Sequence, residues 1–325
     1  MFKKLLNNKA LPYLIMILPP LFWAGNFVVG RAVVSAQVAP ITLSFWRWLL
    51  AMLLLLPFVI KPMWQQRKVI QTYFWKICLL AVLSITAFNS LAYIALQYTT
   101  ATNATLLNSF IPIFILVIMG LFFKEKISNK QILGVLVSLT GVFVILTRLD
   151  LGIIQNLSVN KGDLWMLLAT LDWALYSIFL KYLRPKELSP LPFLGIMVII
   201  GTIILIPILL INPFNEAPIV WNESMIKALA YIAIFPSIFA YLAWNYGMQK
   251  LGAATGGQFI HLMPLFGALM AVVFLGESIQ LYHLIGGACI ALGLWLKTSC
   301  KSGGVCLLKF LLLLVIAKHF DFCLL

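Results

Sequence analysis

Ten stretches of the chain are predominantly apolar. They run at about 12–34, 41–60, 73–97, 102–123, 131–148, 162–182, 190–211, 225–248, 255–275 and 281–297. Most approach the ~20 residues that a helix needs to cross the hydrocarbon of a bilayer. The pattern predicts an all-α integral membrane protein with ten transmembrane helices. Charge between the runs tests that count. One set of loops holds Lys61, Arg67, Lys68 and Lys76, then Lys124, Lys126 and Lys130, then Lys181, Arg184 and Lys186, then Lys250, and finally Lys297 and Lys301. The opposite set holds Arg148, Lys161 and Lys227, with Asp150, Glu216 and Glu223. Basic residues concentrate in cytoplasmic loops, so both ends of the ten-helix core are expected in the cytoplasm.

The pattern also repeats. Residues 94–126 and 246–278 share a turn, a small and polar helix start, a proline, an apolar run and a glutamate. Gln97 maps to Gln249, Ala101 to Ala253, Pro112 to Pro264 and Glu125 to Glu277; each difference, such as 249−97, is 152. Gly134 and Gly141 continue the register to Gly286 and Gly293. Earlier in each half the shift is 150, pairing Trp23 with Trp173, Arg31 with Lys181, Pro40 with Pro190 and Pro57 with Pro207. Five spans per half is an odd number, so the second half is expected to enter the membrane upside down. Inverted repeats of this kind meet at a midplane site in many secondary transporters. The expected organisation is a cytoplasmic N-terminus at 1–10, a first repeat at 11–148, a linker at 149–160, a second repeat at 161–297 and a tail of unknown role at 298–325.

Composition agrees. Of 325 residues, 63% are hydrophobic and 10% charged, unlike a soluble domain of this size. The net charge of +14 lies mainly in short loops, which points to membrane orientation and away from nucleic acid. Cys78, Cys289, Cys300, Cys306 and Cys323 have no paired metal spacing, and neither a metal nor a cofactor is expected. The first run lacks a convincing cleavage site and reads as a retained helix. In the tail, Val305–Ala317 is short for a span and lies among Lys301, Lys309 and Lys318. It reads as an interfacial anchor or an artefactual extension, with no assigned transport role.

Three stretches carry a family resemblance: PPLFWAGNFVVGRAV, ALQYTTATNATLLNSFIPIF with LFFKEKIS, and GAATGGQFIHLMPLF with FLGES. Over about residues 11–297 the chain resembles EamA-like members of the drug/metabolite transporter superfamily. The resemblance implies ten helices, a pocket between the halves, alternating access and a place in the bacterial inner membrane. Bacterial exporters of amino acids and other metabolites are the expected functional class. The tail departs from the pattern, and Lys124 stands where the second half has Gly276.

Polar side chains inside spans are the candidates for a pathway, because hydrocarbon makes them costly. Trp23, Asn26 and Gly30 share one helical face. Trp173 and Tyr176 answer from the sixth run. Asn89 and Tyr93 in the third run are equivalent to Tyr241 and Asn245 in the eighth. Asn108 in the fourth run, with Gln258 and His261 in the ninth, completes the expected substrate-binding set; Ser109 is the equivalent of His261. Such a lining suits an amphipathic solute, above all a neutral or aromatic amino acid. Each residue also has a structural alternative, in an interfacial aromatic belt or an interhelical hydrogen bond.

Asp172 has two readings, proton coupling or an intramembrane ion pair with Arg47, of which pairing is favoured. His261 reads as a satisfied histidine ahead of a coupling group. Pro112 and Pro264 are expected to kink their helices. The resulting expectation is a secondary transporter, monomer or homodimer, that exports amino acids or analogues. Broad-specificity drug efflux is the alternative. An enzyme is disfavoured because His261, His283 and His319 are scattered and no nucleophile or P-loop motif occurs. A channel is disfavoured because no repeated filter segment is visible.

Overall fold

Proline and capping side chains set many of the helix starts. The computed structural model describes residues 10–35, 39–150, 152, 160–211, 219, 221–275 and 278–297. The expected N-terminal segment up to residue 9, Gly276, Glu277 and the 298–325 tail lie outside the described residues, as does the Arg31 side chain. A short turn of helix at Leu11–Ile15 leads into α1, Leu18–Ser35. Helix α2, Pro40–Gln65, opens on a proline whose missing N–H is harmless in the first turn. A surface helix, Arg67–Thr72, precedes α3, Phe74–Tyr98. Thr100 caps α4, Ala101–Leu121, by accepting from the Asn103 amide at 3.1 Å. Reciprocal capping boxes open α5, Asn129–Thr147, through Ser128 and Gln131, and α6, Lys161–Leu183, through Asn160 and Asp163. Helix α7 is Pro190–Ile211 and α8 is Glu223–Leu251. Gly252, at φ 79°, ends α8 in backbone that favours glycine. A short helix, Ala253–Gly257, and a 3₁₀ turn, Gln258–His261, then lead to α9, Leu262–Leu275. Helix α10 is Leu281–Lys297.

Among the described residues there is no strand, and seven helices are long and apolar enough to cross a membrane. Leu11–Phe27 and Leu281–Leu296 are shorter apolar helices. Leu53, Phe58, Leu121, Phe122, Leu210 and Ile211 keep large apolar side chains exposed, as a lipid-facing surface does.

Helices of the first half pack on helices of the second. Gly195 of α7 rests on Val59 of α2, and Gly162 of α6 rests on the backbone of α3 at Ala95. The α5–α10 seam is built on glycine. A Cβ at Gly134 would stand 2.7 Å from the Gly293 carbonyl, and one at Gly141 would stand 2.5 Å from the Gly286 carbonyl. Contacts of 134 with 293 and of 141 with 286 make the two helices antiparallel. Small residues let the backbones touch where no hydrophobic force drives association in lipid.

Pro112 and Pro264 each stand just after an interruption of the helical ladder. Pro112 stands in the first turn of a separate segment, Ile111–Leu121, after the chain turns at Ser109–Phe110. Pro264 stands near the start of Leu262–Leu275, after the 3₁₀ turn. A proline's missing donor is tolerated where a helix begins. Gly257, at the end of the short helix before that 3₁₀ turn, faces Ile115 and Pro112.

Candidate functional site

Two wide turns open the centre of the bundle. In α3, Val82–Ala87 is π-helical, and in α8, Ala233–Phe239 is π-helical. A π turn lengthens the hydrogen-bond ladder by one residue and frees carbonyls for other donors. In α3 the Ser84 carbonyl accepts from Tyr241 Oη at 2.6 Å and from Asn89 Nδ2 at 2.9 Å. In α8 the Pro236 carbonyl accepts from Trp23 Nε1 at 3.0 Å and from Arg47 Nη2 at 3.4 Å. Ser84 and Pro236 are equivalents under the 152 shift, since 236−84 = 152.

Arg47 is the hub. It is 1% exposed. Its Nε donates to Ser237 Oγ at 2.6 Å, and its Nη1 donates to Asn89 Oδ1 at 2.6 Å and Tyr93 Oη at 3.0 Å. Tyr93 Oη in turn donates to Asn26 Oδ1 at 3.1 Å. This network ties α1, α2, α3 and α8 together. The expected ion pair with Asp172 is absent. Arg47 is bonded to neutral groups, and the ion pairs among the described residues are Lys181–Glu125 and Lys227–Glu223. Asp172 is buried on α6, with one carboxylate oxygen lacking a hydrogen-bond partner. Opposite charge alone did not bring the two side chains together, because α2 presents Arg47 to α3 and α8.

Aromatic rings close the network. Trp23 meets Trp173 edge-on at 5.1 Å and Trp244 at 5.2 Å. Trp173 also packs on Tyr176 at 5.0 Å and Tyr241 at 5.4 Å, while Trp48 meets Tyr241 at 5.1 Å. Each such pair contributes about 0.5–1.5 kcal/mol beyond its buried area. Tyr176 donates to Asn245 Oδ1 at 2.6 Å. The indole N–H groups of Trp48, Trp173 and Trp244 and the Asn245 amide nitrogen are buried without partners.

Between these groups lies a small cavity of about 10 Å³, lined by Trp23, Asn26, Arg47, Asn89, Asn108 and Trp173 among others. That is roughly the space of one water. Asn108 has its Nδ2 against Met263 Sδ at 3.5 Å and its Oδ1 unpartnered.

Gln258 and His261 do not line this cavity. Gln258 Nε2 donates to the Gly134 carbonyl at 2.7 Å and to Ser138 Oγ at 3.2 Å. The two ring nitrogens of His261 lie 2.5 Å from Ser138 Oγ and 2.9 Å from the Ser109 carbonyl. These contacts clamp the 3₁₀ turn to α4 and α5, while Ile260 of the same turn lines the cavity. The sequence reading missed Ser237, Trp48 and Trp244, and with them the Pro236 carbonyl. Pro236 is itself a proline inside the eighth run, a residue type that interrupts a helical ladder, and the 152 shift pairs it with Ser84.

At one end of the bundle, Glu125 accepts from both Lys181 and Tyr182. Phe123 stacks on Tyr182 at 4.6 Å. Burial opposes ionisation of Glu125, but these donors outweigh it and hold the carboxyl below its usual range.

A helical bundle with an apolar exterior and a buried polar and aromatic centre between two halves is the architecture of a polytopic membrane transporter. The chain belongs to the EamA-like transporter family, which matches residues 10–147 and again 160–299. It is therefore a transporter of the drug/metabolite superfamily and not an enzyme. An uncharacterized transporter of Archaeoglobus fulgidus is 30% identical over 301 residues, covering 90% of this chain and 99% of that one. The uncharacterized transporter YyaM of Bacillus subtilis is 27% identical, covering 86% of this chain and 91% of that one. A solved crystal structure with 15% identity superposes with a TM-score of 0.69 over 89% of this chain and 96% of that one, a likeness of fold.

Proposed function

We propose that the protein is a secondary carrier that exports amino acids or closely related metabolites by alternating access. In this reading ten helices form two inverted five-helix repeats, 11–148 and 161–297, and the solute binds between them. The observation that carries it is the closed cavity at the seam where repeat equivalents touch. A carrier must pass through a state sealed on both sides, and a cavity with room for about one water fits that state. The antiparallel α5–α10 seam supports inversion, since those helices are equivalents. Trp23, Asn26, Asn89, Tyr93, Asn108, Trp173, Tyr176, Tyr241 and Asn245 form the proposed site, reached when the halves part. Gln258 and His261 are proposed as its supporting clamp. The loop charges support a bacterial inner-membrane protein with both ends of the helical core in the cytoplasm.

The clustered indoles favour a second reading, efflux of amphipathic drugs, because aromatic faces accept many apolar bodies and cations. Counterflow in proteoliposomes separates the two. Unlabelled amino acids inside and labelled tracer outside are expected to give saturable accumulation. Exchange of amphipathic cations with none of any amino acid, in folded protein, overturns the amino-acid reading.

A further inference from the structure

We infer that the transported solute carries a carboxylate and that Arg47 receives it. The inference rests on the carrier reading and adds the chemistry of one end of the substrate. Three observations meet at Arg47. Arg47 is almost completely buried and lines the cavity. It has no carboxylate partner, since it is in neither of the ion pairs among the described residues. All its hydrogen bonds go to neutral oxygens: Ser237 Oγ, Asn89 Oδ1, Tyr93 Oη and the Pro236 carbonyl.

A cation of this kind, taken out of water with no anion in contact, is costly to hold. Neutral acceptors offset part of that cost and leave a positive potential aimed at the cavity. An anionic ligand completes the compensation. Guanidinium is planar and offers paired N–H groups that match a carboxylate. The Nη1 contacts to Asn89 and Tyr93 are the exchangeable ones, because Asn89 lines the cavity and both side chains have other partners. Asn89 Nδ2 keeps Ser84 and Tyr241 and the Tyr93 hydroxyl keeps Asn26, while Asn89 Oδ1 gives up its guanidinium donor. The Nε bond to Ser237 holds the guanidinium in place meanwhile. Trp23 and Trp173, on the same cavity, receive the apolar body of the solute. Asp172 does not line that cavity.

The test uses the full chain in detergent and in proteoliposomes. Thermal stabilisation is measured with acetate, pyruvate, isovalerate, phenylacetate and the neutral amino acids, each beside its amide. At least one acid is expected to stabilise the wild-type protein and to bind about ten- to hundredfold more tightly than its amide. Arg47→Gln is expected to erase that preference. Arg47→Lys, which keeps the charge and loses the fork, is expected to retain part of it. If Arg47→Gln does not fold, the wild-type acid–amide comparison and Arg47→Lys decide. Amides that bind as well as their acids overturn the inference, as does stabilisation by no acid in the panel or an acid preference that survives in Arg47→Gln. Exchange of any solute without acid preference leaves the carrier reading intact while removing the carboxylate. Acid binding without exchange of any solute does the reverse.

Discussion

Asn89 donates from Nδ2 to Tyr241 Oη at 3.1 Å, and the two residues are 152 positions apart. They are thus each other's repeat equivalents. In the proposed inverted-repeat arrangement, two equivalents touch only where they lie beside the axis that relates the halves. Ser109 and His261, also 152 apart, touch as well, and Trp23 meets its equivalent Trp173. A double-mutant cycle on Asn89→Ala and Tyr241→Phe measures the first contact. Interhelical hydrogen bonds in membranes average about 0.6 kcal/mol with a maximum near 1.7. The coupling energy is expected in that range, because Asn89 retains backbone acceptors after Tyr241→Phe. Additive single effects in thermal or chemical unfolding contradict a direct contact.

The glycine seam makes a stronger stability prediction. Any side chain at Gly141 meets the Gly286 carbonyl, Cys289 and Ile290. Gly141→Leu is expected to force α5 and α10 apart and to destabilise the protein by about 1–3 kcal/mol or more. Gly267 has nothing within 4 Å of an added Cβ. Gly267→Ala is expected to stay within about 0.5 kcal/mol of the parent. Melting followed by size-exclusion chromatography compares them. Equal losses in the two variants deny the seam its role.

Much of this arrangement was legible in the chain, and the exceptions share a cause. Periodicity locates a residue along a helix, so the i, i+4 spacing puts Asn89 and Tyr93, and Tyr241 and Asn245, on shared helix faces as substrate-binding candidates. It does not say which neighbour the face meets. Arg47 therefore drew a charged partner, Asp172, when its acceptors were an amide, two hydroxyls and a backbone carbonyl. A freed carbonyl has no residue type, so the π turn in α8 shows in the chain only through Pro236 itself, which removes a ladder donor, and through its equivalence to Ser84. The 3₁₀ turn had the same effect on Gln258 and His261: it rotates them toward Gly134, Ser138 and Ser109 and away from the cavity.

Glu125 gives a pH prediction with a definite sign. Its carboxyl is held below the usual range: burial raises its pKa, but the hydrogen bonds from Lys181 and Tyr182 outweigh that effect. A depressed folded pKa means that the contact contributes fully above the ordinary carboxylate pKa. The contribution is lost as pH falls through the lowered folded value. The side chains are 39% and 31% exposed for Lys181 and Glu125, so screening keeps the effect small, at most about 1 kcal/mol. Glu125→Gln is expected to change exchange less than about fivefold at neutral pH. It is also expected to remove the part of the acid dependence that this contact supplies. An unchanged acid profile in Glu125→Gln excludes Glu125 as its source.

Pro112 and Pro264 test whether the broken helices move. Each proline stands at the start of a segment, where a missing backbone donor is tolerated. Replacement by alanine therefore restores a donor without creating a clash. It allows α4 to run on through Ser109–Phe110 and α9 to join its 3₁₀ turn. The Pro112→Ala/Pro264→Ala protein is expected to fold, with a melting temperature equal to or above that of the parent. Its exchange rate is expected to fall several-fold, because a continuous helix resists the bending that alternate opening of the two faces requires. Reconstituted protein with parental turnover would show that neither break is used in gating. A large loss of melting temperature would instead assign both prolines to packing around Gly257 and Ile115.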